Sequence, residues 1–276
     1  MANTYSTSTG VLILDKVTPM IMALFGAFAL DPITPGNGEV YIASTPEDEP
    51  HWGKVNDRVA ALRSDLGVEL PDDTSEGIAM ELFALAEHFG INDPELFQLL
   101  DHHEFTEDED ADLQVLFDLA QWFDDGHGLK AIKFEGSWRC DKPQLFEFGG
   151  AGDFIGRHIS VRSSSATAIV LGAELDAAIE IGNLDGVATR FVTQINGILA
   201  GLTDGAIADR VRVKLGRSLV DAYGKLEEGS PAWLRATFDT EHPDHPRSAW
   251  RSEVANDDTL LGYWEWVFHS IEGAAV

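Results

Sequence analysis

Asp108, Asp110 and Asp112 occupy alternate positions, the spacing of the first three oxygen ligands in a calcium-binding EF-hand loop. The remainder of such a loop is missing. Leu113 stands where the sharp-turn glycine belongs, and Leu119 where a bidentate glutamate would close the site. His103-Glu104-Phe105-Thr106-Glu107 has the outline of a zinc-protease helix, but a glutamate replaces its second histidine. His102, His103, Asp124, Asp125 and His127 are further groups able to hold a metal and activate water, and His242 and His245 make a looser pair. Polar residues at helix ends and in loops have the same composition without binding anything, and that reading carries more weight here. A metal-dependent hydrolase without a recognisable motif stays as an alternative, and no metal or other cofactor is expected.

Other catalytic signatures fail on spacing. Gly150, Gly152 and Gly156 miss the dinucleotide fingerprint because the third glycine is one residue late and a strand pattern follows. The chain has neither a G-x-x-x-x-G-K-[ST] phosphate loop nor a G-x-S-x-G nucleophile elbow. Cys140 lies among Arg139, Asp141 and Lys142 with no histidine beside it, and reads as an inert strand residue. The balance leans away from an enzyme.

A different chemistry has stronger support. Between Arg63 and Lys130 there is no lysine or arginine, and these 66 residues carry 19 Asp and Glu. A one-signed field of this kind attracts cations and basic proteins, and repels nucleic acids and anionic membranes. Carboxylates three or four residues apart on a helix lie about 5–6 Å apart, comparable to phosphates along a strand. The expected partner-binding residues are Asp101, Glu104, Glu107, Asp108, Glu109, Asp110, Asp112, Asp118, Asp124 and Asp125. They would face a basic protein surface, with the groove of a DNA- or RNA-binding protein as the sharpest form of the expectation, because such grooves gain affinity from phosphate contacts and counterion release. The bland alternative is a solvated helix start whose carboxylates favour the positive end of the dipole.

Charge distribution bears on that choice. The net charge of −28 is concentrated: residues 1–128 carry −22, residues 129–226 carry +1 and residues 227–276 carry −7. Salt adaptation would acidify the whole surface, whereas here the middle is neutral. With 44% hydrophobic residues and seven tryptophans, the chain is no disordered acidic tail. A single cysteine allows no internal disulfide and suits a reducing compartment. Met1 to Gly10 lacks a basic n-region, and the apolar stretch Met20 to Leu30 is about half a membrane span. A cytoplasmic location without membrane or direct nucleic-acid contact is expected.

These residues need elements to position them. Val11–Leu14 and Val40–Ala43 read as strands. Thr18-Pro19 and Thr45-Pro46 read as helix starts. Within the base-free stretch, Asp73 with Glu76 makes a capping-box pattern before the stripe Ile78, Leu82, Leu85, Ala86 and Phe89. Asp93-Pro94 opens a second helix and the cluster at Asp110 a third, and the three should pack as an acidic bundle. Ala131–Cys140, Leu145–Phe148 and Phe154–Arg162 alternate as strands of an antiparallel meander, with a turn expected at Gly149, Gly150 and Gly152. Ser163 to Ser165, Asn183, Thr203 and Ser230-Pro231 read as caps of later helices. The order predicts an α+β fold with an acidic helical region over 1–128 and a meander followed by helices over 129–276, with one continuous domain as the alternative.

Two features concern partners. Arg210, Arg212, Lys214 and Arg217 form the one basic cluster, able to pair with the acidic region within the molecule or across a dimer. On the last helix, Leu260, Trp264, Val267, Phe268 and Ile271 should face the core. Tyr263 and Trp266 lie off that stripe and would mark a partner surface, so an assembly module, a homodimer through this helix, is a further alternative.

Overall fold

A computed structural model describes residues 4–70, 77–142, 148–223, 229–238 and 240–274. The alternating segments pair into a six-stranded antiparallel sheet. Its central strand β1 (Thr4–Ile13) lies between β3 (Glu39–Ser44) and β4 (Ala131–Cys140). With β2 (Asp31–Gly36), β5 (Phe148–Gly156) and β6 (Ser160–Ser164), the order is β2-β3-β1-β4-β5-β6. Leu12 sits opposite Val40 and Ile132, and Ile132 opposite Ile155, so one face carries an apolar row across four strands. The fold is α+β, and the sheet unites strands from both sides of residue 128.

Helices α1 (Pro19–Phe25), α2 (Trp52–Asp65), α3 (Ile78–Phe89), α4 (Pro94–His102) and α5 (Leu113–Trp122) bury their stripes in the same core as that row, except that Phe89, the last residue of the expected α3 stripe, is exposed. Thr18 caps α1 as its sequence predicts, accepting from the Ile21 N–H. Thr45-Pro46 instead makes a turn, and α2 starts at Trp52. The Asp73–Glu76 pattern lies outside the described residues. The three helices of the base-free stretch do not close a bundle of their own. Contacts of α3 are with α2 and α4, while α5 packs on α1 and β5, because the apolar face of the sheet has to be covered too.

Gly149, Gly150 and Gly152 lie inside β5, and the turn falls after Gly156. A side chain at Gly149 would collide with the Trp138 indole across the ladder, so this glycine serves close approach and not a turn. After β6, helices α6 (Ser165–Glu180) and α7 (Leu184–Ala200) form an antiparallel hairpin. The Asn183 side chain caps α7 by accepting from Gly186 N–H. The Thr203 hydroxyl donates to the Arg157 carbonyl and ties the chain to the β5–β6 turn.

The chain divides into two compact units, 1–205 and 206–276. The second holds α8 (Gly205–Tyr223), α9 (Pro231–Thr237), α10 (Arg247–Ala255) and α11 (Tyr263–Ala274). Its small core consists of Leu234, Tyr263, Trp264, Trp266 and Val267. Tyr263 and Trp266 are therefore buried, contrary to the expected partner surface, whereas Leu260 is 98% exposed. Two causes act together. The helix starts at Tyr263, leaving Leu260 outside it, and both α9 and α10 pack on α11, so more than one of its sides is covered. Among the described residues no helix is long and apolar enough to cross a membrane.

Candidate interaction surface

The segment between α4 and α5 holds the densest acidic run, and its backbone explains its shape. Helix α2 begins after His51, whose side chain makes no cap for it. The first N–H groups of a helix need acceptors from elsewhere. Trp52 N–H donates to the Glu109 carbonyl and Gly53 N–H to the Glu107 carbonyl, both at 3.0 Å. Ala111 N–H donates to the Pro50 carbonyl at 3.0 Å, and His51 Nδ1–H to the Glu107 carbonyl at 2.9 Å. A side chain at Gly53 would press on His51 Nδ1 at 3.2 Å and on Glu107 O at 3.3 Å, so glycine lets the loop come this close. Below it, Trp52, His103 and Phe105 pack edge to face, with ring centroids 4.5 to 5.5 Å apart.

The loop thus caps α2 with its main chain and keeps its side chains free. Glu104, Glu107, Asp108, Glu109 and Asp110 are all exposed. Among the described residues no lysine or arginine lies within ion-pair distance of any of them. The positive end of the α2 dipole offsets part of their mutual repulsion. Asp101, exposed on α4, stands 3.8 Å from His102 Nδ1, which itself donates to the Gln98 carbonyl.

The other expected site residues have structural partners. Asp112 caps α5, with Oδ1 accepting from Gln114 N–H at 2.7 Å and Val115 N–H at 3.0 Å. Asp118 is half-buried on α5 and accepts from Gln114 Nε2 at 3.1 Å. Burial pushes its pKa up, and the neighbouring Asp112 charge adds to the rise, against the Gln114 hydrogen bond. Asp124 Oδ1 accepts from Gly126 and Gly128 N–H. Asp125 Oδ2 accepts from Met20 N–H and so ties this turn to the start of α1.

Asp124, Asp125 and His127 do come together, with one ligand atom from each within 4.8 Å of the others. His127 is fully buried, and both ring nitrogens are committed: Nδ1 accepts from Leu129 N–H at 2.9 Å, and Nε2–H donates to the Ala120 carbonyl at 3.0 Å. A cation would have to break these bonds, so the cluster works as a staple after α5. His103 lies in the loop beyond α4, packed on Trp52, and not on a zinc-protease helix. His242 and His245 flank a tight loop held by Tyr263, whose hydroxyl accepts from His242 N–H and donates to the His245 carbonyl.

The residues that sequence reasoning passes over are Pro50 to Gly53, the anchor of the acidic loop. Their signal is a helix start with no Ser, Thr, Asp or Asn at its cap, which must borrow acceptors from another segment. No known protein family, curated protein or solved structure matches the chain.

Proposed function

We propose that this is a non-enzymatic interaction protein whose acidic loop engages a basic protein surface. The observation that carries this reading is the run Glu107 to Asp110: four successive exposed carboxylates without a cationic partner among the described residues, on a backbone pinned to α2. A fixed backbone lowers the ordering cost of binding. One-signed charge steers association and makes it salt-sensitive. The chemistry that fits is a lysine- and arginine-rich surface of the kind that holds phosphates, so the protein would compete there with nucleic acid.

The test is capture of partners from the native cell on the immobilised protein. A basic nucleic-acid-binding protein should be retained at low salt, released by high salt and displaced by DNA or RNA. A partner that resists both salt and polyanion rejects the proposal.

A further inference from the structure

Helices α6, α7 and α8 keep much of their apolar surface in water. Ten of the 16 residues of α6 are Ala, Val, Leu or Ile, yet none is buried. A helix apolar on so many sides is ordinarily covered. On α7, Leu184, Phe191 and Ile198 recur every seven residues and are 54%, 52% and 55% exposed, with half-buried Val187 and Ile195 between them. Seven-residue spacing aligns them as a seam for another helix. On α8, Val211, Leu215 and Leu219 recur at four-residue steps along one side, and Ala208 is its one buried residue among those described. Scattered exposed hydrophobics need no explanation. Here residues 165–223 hold 13 of the 25 large exposed ones among the described residues, a concentration typical of an interface.

Charge identifies the occupant. The α6–α7 hairpin carries Glu174, Asp176, Glu180 and Asp185 against Arg190, which pairs with Glu174 at 3.2 Å. Helix α8 carries Arg210, Arg212, Lys214 and Arg217, all exposed, against Asp209 and Asp221. One chain therefore bears an acidic apolar surface and a basic apolar helix, each complementary to the other. We propose that α8 of one copy docks along the α6–α7 hairpin of a second copy, and reciprocally, in a two-fold dimer. Phe191 and Val211 sit in the apolar seam, and the α8 bases face Asp176, Glu180 and Asp185. A reciprocal contact of this kind closes on itself and leaves no open surface for fibre growth. It uses surfaces separate from the acidic loop, so either reading can fail alone.

Light scattering on the full chain tests this. The expected mass at micromolar concentration is twice 30.1 kDa. Phe191→Asp and Val211→Asp change partly exposed side chains, and each should raise the dimer dissociation constant about a hundredfold with helical circular dichroism unchanged. A chain that is monomeric throughout, or a dimer that survives either substitution, overturns the proposal. Hydrogen exchange on the unmodified chain gives a readout independent of the variants. Amide protection should rise with protein concentration in both α7 and α8, and a rise in only one of them overturns reciprocal docking.

Discussion

Helix α5 has an acidic segment at each end, and the two are built in opposite ways. Before it, the Glu107 and Glu109 carbonyls accept from α2, and the carboxylates from Glu107 to Asp110 stay in water. After it, Asp124 and Asp125 give their carboxylates to backbone N–H groups of Gly126, Gly128 and Met20. Composition is nearly the same in the two places; which atoms are spent on the fold is not. A carboxylate that accepts backbone hydrogen bonds contributes to stability, whereas one that accepts none is available to a partner.

Removing charge from the loop without changing its shape separates these roles most strongly. The combined substitution Glu107→Gln, Asp108→Asn, Glu109→Gln and Asp110→Asn should weaken binding to a basic partner about a hundredfold at low salt. Because those side chains are exposed and form no ion pair with the described residues, stability should change by less than about 1 kcal/mol. Titration calorimetry and urea unfolding measure the two quantities. A large loss of stability with binding intact would reverse the assignment.

Asp124→Ala should do the opposite, leaving binding unchanged and costing about 1–2 kcal/mol through the lost N–H acceptor. Its pH dependence has a definite sign. Burial pushes the Asp124 pKa up, but the Gly128 and Gly126 N–H groups and the Arg157 charge outweigh it, so the group lies below its ordinary value of 3.8. A depressed carboxylate stabilises the fold above its unfolded pKa and loses that contribution as pH falls through the folded one. The gap between wild type and Asp124→Ala should be full at neutral pH and shrink below about pH 4.

A smaller contrast lies within the loop itself. Asp112→Ala removes the cap of α5 and should cost about 1 kcal/mol. Asp108→Ala, four residues earlier, should stay within about 0.5 kcal/mol of wild type. Thermal unfolding at neutral pH compares the pair, and equal losses would show that Asp108 also supports the fold.

Local signals in the sequence carried far. The Thr18, Asp93, Asn183 and Ser230 caps all form, because each acts on an N–H two or three residues away. The apolar stripes of α3 to α5 were legible for the same reason. Long-range relations were not. Nothing near Glu107 indicates that its carbonyl will meet Gly53, and nothing near Tyr263 that α9 and α10 will both lie on α11. The glycines of β5 suggest a turn by composition, while the place of Gly149 is decided by Trp138 on the neighbouring strand. The acidic array was legible as charge, but not which carboxylates the fold would use.

Asp118 sharpens the division because it belongs to neither group. It is half-buried where Asp124 is exposed, and among the described residues it accepts one side-chain hydrogen bond, from Gln114 Nε2, whose partner oxygen accepts from Ser160. Burial raises its pKa, so the folded state holds this proton more tightly than the unfolded chain does. A raised carboxylate stabilises the fold below its unfolded pKa and loses that contribution as pH rises through the folded one. At neutral pH the ionised group is therefore a small cost. Asp118→Asn removes the charge and keeps an oxygen for Gln114. With solvent screening of a half-exposed group, it should gain about 0.3 kcal/mol at pH 7 and nothing at pH 3, measured as the shift in unfolding midpoint. A loss at pH 7 would mean that the Asp118 charge, like that of Asp124, is held by the fold, and the boundary between structural and available carboxylates would then run through α5 itself.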